Sequence, residues 1–210
     1  MSDEPQWLLW SRELLALAQT GLAFSKDPYD LERYARLRQL AAEMLASRVD
    51  EAAADLVARF SLEKGYATPK VEVRAAVFDA RGRILMVREA LDGGRWTLPG
   101  GWADVNLTPV QNVLKEVREE SGYEARVLKL AAVWDRARQG HPASIYACVK
   151  LFYVCEPTGG EARTSLETTE VAWFPRDAIP EDLSVGRVLR GQIDRMFEHA
   201  DSPALPTDFD

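Results

Sequence analysis

The sequence predicts an α/β protein preceded by a small helical domain. Three observations carry that expectation. The apolar period changes from helical to strand-like near Pro69, strand-like runs then alternate with helical stretches, and a capped helix follows a Gly-Gly turn in mid-chain. With 210 residues, 47% of them hydrophobic, the chain can build one domain of ordinary size and a small second one.

The first 66 residues read as three helices. Trp7, Leu8, Leu9, Leu14, Leu15, Leu17 and Ala18 make a strongly apolar first helix expected to end near Gly21. Asp27 is placed to cap the second helix and Pro28 to open it, and Leu31, Tyr34, Leu37, Leu40, Met44 and Leu45 recur near a 3.6-residue period. A third helix is expected from Asp50 through Ala54, Val57 and Phe60, closed by Gly65. Three short helices make a thin core, so part of their apolar surface is expected to pack on the next domain or on a second subunit.

From Pro69 onward strands are expected at 71–78, 83–87, 125–135, 144–156 and 171–174. The turn at 79–82 makes the first two a hairpin, and Pro157-Thr158-Gly159-Gly160 reads as another turn. Residues 187–199 read as a closing helix and 202–210 as a loose tail. The expected organisation is a helical domain over 1–66, a main domain over 67–201 and that tail.

A net charge of −7 without a basic stripe argues against a nucleic-acid platform and against adhesion to anionic membranes. No apolar run approaches the ~18 residues of a membrane span, and the acidic N-terminus is unlike a signal peptide, so a cytoplasmic location is expected. Cys148 and Cys155 sit seven apart in a strand-like run and fall on opposite faces. They are poor disulfide partners and read as buried free thiols.

The chemistry is concentrated between Gly100 and Tyr123. Thr108 suits an N-cap, Pro109 the first helical position, Gln111 completes a capping box, and Gly122 stops the helix. Glu116, Glu119 and Glu120 are spaced i, i+3 and i+4 and share one face. Carboxylates crowded in this way raise one another's pKa unless a cation intervenes, and hard oxygen ligands suit Mg²⁺ or Mn²⁺. The plainer alternative is a solvated acidic helix face.

The surrounding pattern resembles the signature of the Nudix hydrolases, Gly-x5-Glu-x7-Arg-Glu-apolar-x-Glu-Glu-x-Gly-apolar. Gly101, Glu116, Val117, Glu119, Glu120, Gly122 and Tyr123 fall at its spacing. The resemblance covers about residues 69–200 and implies an α/β/α sandwich with a mixed sheet, and metal-dependent cleavage of a P–O–P bond. It assigns Glu116, Glu119 and Glu120, with the Gly100 carbonyl, to Mg²⁺ or Mn²⁺, and gives Glu119 and Glu120 catalytic roles. Glu167 and Glu170 are candidates for the general base, each with the alternative of a plain surface carboxylate. Arg88 and Arg95 could meet phosphate by bidentate pairing. Arg136 and His141 lie in a segment that resembles a substrate loop. Trp102 could stack on a base or fill the core under the turn.

Two positions depart from the signature: Leu107 stands where the family has Glu, and Lys115 where it has Arg. In the family those side chains are expected to pair and brace the loop against the helix. Losing both together strands no buried charge, so an altered or weakened scaffold is expected here.

Residues 19–34 resemble the N-terminal helical module of one branch of this family, whose members act on nucleoside diphosphates linked to a second group. That implies a homodimer and a substrate of the ADP-ribose or CDP-choline type. The alternatives are a nucleoside triphosphate pyrophosphatase, which the helical module disfavours, and a non-catalytic nucleotide sensor, which retention of all three carboxylates disfavours.

Overall fold

The structure is a computed structural model that describes residues 4–210. The chain divides into two compact units, the residues up to Lys70 with Ala143–Ala147, and Val71–Pro142 with Cys148–Asp210.

The first unit holds α1 (Gln6–Phe24), α2 (Pro28–Ala46) and α3 (Ala53–Ser61). The Asp27 carboxylate accepts from the backbone N–H groups of Tyr29 and Asp30 at 2.9 and 3.0 Å, with Pro28 in the first turn. α1 runs past Gly21 instead of ending there. This glycine serves close packing, since a Cβ at that position would lie 2.4 Å from the Tyr34 ring of α2. α3 begins three residues beyond Asp50. The core is thin, as expected: Leu8, Ala42, Leu45 and Leu56 are buried, with Ile145 packed against them.

The second unit contains β1 (Lys70–Val77), β2 (Ile84–Glu89), β3 (Arg95–Thr97), α4 (Pro109–Ser121), β4 (Tyr123–Asp135), β5 (Cys148–Gly160), β6 (Thr168–Phe174), α5 (Arg190–Asp201) and β7 (Asp208–Phe209). The strands form two sheets, ordered β1-β5-β4-β7 and β3-β2-β6. The first is mixed, because β4 pairs antiparallel with β5 and parallel with β7.

The expected β1–β2 hairpin does not form. The two strands lie in different sheets and meet only at the bridge Phe78↔Ile84. Other partners hold the backbone of β1: Val73 and Ala75 donate to the carbonyls of Gly101 and Pro99 at 2.9 and 2.8 Å, and β5 lies alongside. β2 therefore pairs with β3 and β6. The expected turn at 157–160 is also strand. Pro157 stands opposite Ala125 beside a register shift in the β4–β5 pairing, the kind of irregularity that tolerates a proline.

Strand alternation divides the interior in two. Ala76, Ile84, Met86, Phe152 and Val154 pack with Ile193, Met196 and Phe197 of α5. Val73, Ala75, Val77, Leu85, Tyr153 and Cys155 pack with Val113 and Val117 of α4. Strands buried on both faces read as continuous apolar runs, and helices on opposite faces make the α/β/α arrangement.

The C-terminal residues are docked, not loose. β7 extends the sheet along β4, the Thr207 hydroxyl donates to the Leu130 carbonyl at 2.8 Å, and Arg195 binds both Asp208 oxygens. Both cysteines are free and buried. Among the described residues no helix is long and apolar enough to cross a membrane.

Candidate active site

α4 is built as its sequence directs. The Thr108 hydroxyl accepts from Gln111 N–H at 3.2 Å and the Gln111 side chain returns the bond to Thr108 N–H at 2.8 Å, closing the capping box. Gly122 ends the helix at φ +77°, where a Cβ would lie 2.5 Å from the Glu161 carbonyl.

The Gly100–Gly101 turn lies against the helix. At Gly100, φ is +147° and a Cβ would come within 2.1 Å of the Val73 carbonyl, so only glycine fits. Its N–H donates to the Glu120 carboxylate at 2.8 Å, while a Cβ on Gly101 would sit 3.4 Å from the Glu116 carboxylate. Glu120 is fixed at its other end as well, its backbone carbonyl accepting the Thr168 hydroxyl at 2.7 Å.

Burial pushes Glu120 up to about 8, with Arg74 and the Gly100 N–H opposing and Glu116 and Glu89 adding to the rise. Burial also raises Glu116, against the pull of Lys115 and Arg74, and Glu119 and Glu167 raise it further. Two neighbouring carboxylates held uncomfortably in their charged form are a donor set that a divalent cation would relieve, so these residues fit such an ion. Glu119 stands apart from them: it is half-exposed, and Lys115 Nζ lies 3.1 Å from its carboxylate. As the side chains stand, no group of three or more His, Cys, Asp or Glu among the described residues is gathered into a ligand set.

Arg74, which the sequence reading did not single out, lies beneath this turn. Its guanidinium donates to the Leu98 carbonyl at 2.9 Å and to Glu72 at 2.6 Å. Glu72 also accepts from Lys150 Nζ at 2.6 Å, and Lys150 in turn reaches the Arg187 carbonyl at 2.7 Å. Glu72, Arg74 and Lys150 are all buried. Burial pushes Glu72 upward, but Arg74 and Lys150 together outweigh it and hold this carboxyl at about 2. The available signal was a Glu and an Arg two apart, hence on one strand face, inside an apolar run.

The scaffold is altered, one of the two outcomes expected from Leu107 and Lys115. Lys115 does brace the loop to the helix, but through Asp104, whose carboxylate is 3.1 Å from Nζ. Bonds from Asp104 and then Glu119 raise the Lys115 ammonium well above its ordinary value. Asn112, buried in the first half of α4, reinforces this: its side chain accepts from Asp104 N–H at 2.8 Å and donates to the carbonyls of Asp104, Leu107 and Thr108.

The remaining candidates are dispersed. Glu167 is exposed, yet its charge reaches Glu116. Arg88 lies 3.0 Å from Asp182 and 3.4 Å from Glu170, with its guanidinium 5.4 Å from the Trp96 ring centre. Arg95 pairs with Asp92 at 3.3 Å. The Trp102 ring is 53% exposed, so it does not fill the core under the turn. His141 is buried, its Nδ1 is 2.7 Å from the Val185 carbonyl, and burial lowers it to about 4, helped by Lys150 and Arg136.

A sandwich of this kind, with a glycine turn set on a carboxylate-bearing helix, is the architecture of a pyrophosphohydrolase, and comparison with known proteins agrees. A family model described as NUDIX domain matches residues 68–191, and one described as "UDP-X-like, N-terminal oligomerisation domain" matches residues 5–60. The chain belongs to the Nudix family. It is 42% identical over 207 residues to the Bacillus subtilis protein named "Putative ADP-ribose pyrophosphatase YjhB", covering 99% of this chain and 98% of the relative. A crystal structure of a UDP-X diphosphatase aligns over 97% of this chain and 98% of its own, with 31% identity and a TM-score of 0.61. That of an ADP-ribose pyrophosphatase from Streptococcus suis covers 68% of this chain and all of its own, at 35% identity and a TM-score of 0.61.

Proposed function

We propose that this chain hydrolyses the pyrophosphate bond of a nucleoside diphosphate linked to a second group, of the ADP-ribose or CDP-choline type, releasing a nucleoside monophosphate. The observation that carries the proposal is the pair of carboxylates set against the Gly100–Gly101 turn, Glu120 buried and Glu116 half-buried. Relatives over nearly the full chain that are named for diphosphate-linked nucleosides support the substrate class. Mg²⁺ or Mn²⁺ held by Glu116, Glu119, Glu120 and the Gly100 carbonyl would supply charge neutralisation and water activation.

The protein's own residues supply placement. Gly100 N–H fixes the Glu120 carboxylate, and Arg74 holds the strand end at Leu98 from below. Glu167, exposed and within electrostatic reach of Glu116, is the candidate base, while Glu119 and Glu120 act at the metal. Arg88, Trp102, Arg136 and His141 are assigned to substrate binding. The helical unit is assigned to homodimer formation, consistent with exposed Trp10, Phe24, Tyr29 and Tyr66 on it.

The test is product release from ADP-ribose, CDP-choline, UDP-sugars and nucleoside triphosphates, with Mg²⁺ or Mn²⁺ against EDTA. Metal-dependent cleavage of a diphosphate-linked compound is expected. Cleavage of triphosphates alone would replace the substrate class, and nucleotide binding without any cleavage would leave a sensor.

A further inference from the structure

Lys115 is shared between two carboxylates. Its Nζ lies 3.1 Å from Asp104 on the loop and 3.1 Å from Glu119 one turn further along α4. Glu119 is thereby paired on the surface of α4, with Arg118 a further neighbour at 4.0 Å, while Glu116 and Glu120 lie against the glycine turn. All three members of the fork are solvent-accessible, with side chains 32%, 56% and 50% exposed for Lys115, Asp104 and Glu119. Exchange between partners is therefore inexpensive. The Asp104 backbone is held by Asn112 as well, so the loop does not depend on the Asp104–Lys115 pair alone.

We propose that Asp104 is a positioning residue for divalent-cation binding: it retains the Lys115 ammonium when Glu119 turns away to join Glu116 and Glu120. The inference rests on the metal-site reading given above. With Asp104 present, Lys115 loses one of two partners when Glu119 leaves. Without it, Lys115 keeps Glu119 as its sole anionic partner within the fork and competes directly with the incoming cation. Asp104 thus acts through Lys115 and touches no ligand itself.

The experiment is a Mn²⁺ titration of the full chain without nucleotide, followed by electron paramagnetic resonance of free Mn²⁺, on wild type, Asp104→Asn, Asp104→Glu, Lys115→Met and the Asp104→Asn/Lys115→Met double variant. Asp104→Asn is expected to weaken Mn²⁺ binding by about fivefold, the scale of an exposed ion pair. Asp104→Glu should restore most of the affinity. In the Lys115→Met background the Asp104→Asn change should have no effect. An equal loss in both backgrounds would overturn the proposal, because Asp104 would then act as a bare negative charge. So would an unchanged affinity in Asp104→Asn. Failure of the wild type to bind Mn²⁺ would overturn the metal-site reading itself, a result distinct from either.

Discussion

Replacing Glu72 with Gln puts the buried charge cluster to a quantitative test. The carboxylate of Glu72 receives Arg74 and Lys150, each at 2.6 Å, in a site where all three side chains are buried. Removing its charge leaves two cations buried beside each other, a change that costs about 3–5 kcal/mol. An independent figure comes from proton linkage. Glu72 is held at about 2 from an ordinary value of 4.5, a difference worth about 3 kcal/mol for this carboxyl alone, and burial, which lowers Lys150 to about 8, offsets part of it. The sign follows from a folded-state pKa below the unfolded one: this stability is present above about 4.5 and is lost as the pH falls toward 2.

Calorimetry at pH 7 should show the Glu72→Gln transition lowered by roughly 6–20 °C, and the gap to wild type should close between pH 4.5 and 2. Lys150→Met is the control. It removes the bonds to Glu72 and to the Arg187 carbonyl but leaves the Glu72 charge paired with Arg74, so it should cost less than Glu72→Gln. If Glu72→Gln melts within about 1 kcal/mol of wild type at pH 7, or its gap does not change with acid, the reasoning about this cluster is wrong.

Other outcomes follow from the site. Gly100→Ala should cost about 3 kcal/mol or more in a urea melt and abolish activity, because the added Cβ meets the Val73 carbonyl. Glu120→Gln should reduce turnover by about 10²-fold or more with the fold retained, as judged by circular dichroism; full activity would remove Glu120 from the metal site. In EDTA the raised Glu120 carboxyl makes wild type lose stability as the pH rises from 4.5 through about 8, whereas Glu120→Gln should lack that slope in a thermal melt. Asp208→Asn should lower the melting temperature by a few degrees, through the loss of its bonds with Arg195 and His199.

Much of the site was legible because helices announce themselves locally. Thr108, Gln111 and Gly122 mark the ends of α4, and i, i+3, i+4 spacing places its carboxylates on one face without knowledge of any other segment. Strand pairing carries no such local mark. The short loop at 79–82 looks like a hairpin turn, yet the backbone of β1 is held by residues 99 and 101 and by β5, so the second strand joins another sheet. The same non-locality hid the chemistry in the strands. Lys150 stands 78 positions from the Glu72 that neutralises it, and no pattern in one sequence reveals that partnership. Asp104 was overlooked for a different reason: the brace was sought at position 107, and the chain supplies it three residues earlier.

Glu120 and Glu119 also differ in when their freedom is given up. The Gly100 N–H fixes the carboxylate of Glu120 and the Thr168 hydroxyl fixes its carbonyl, so its disorder is removed once, as the domain folds. Glu119 is half-exposed and paired only at the surface, so in the proposed metal site its ordering would fall to the binding event, a cost of about 0.5–1.5 kcal/mol per immobilised side chain. The site therefore divides its entropy bill between folding and binding. On the proposed metal site, a cation would meet one carboxylate already in place and another to be recruited, and its release would return freedom to the second.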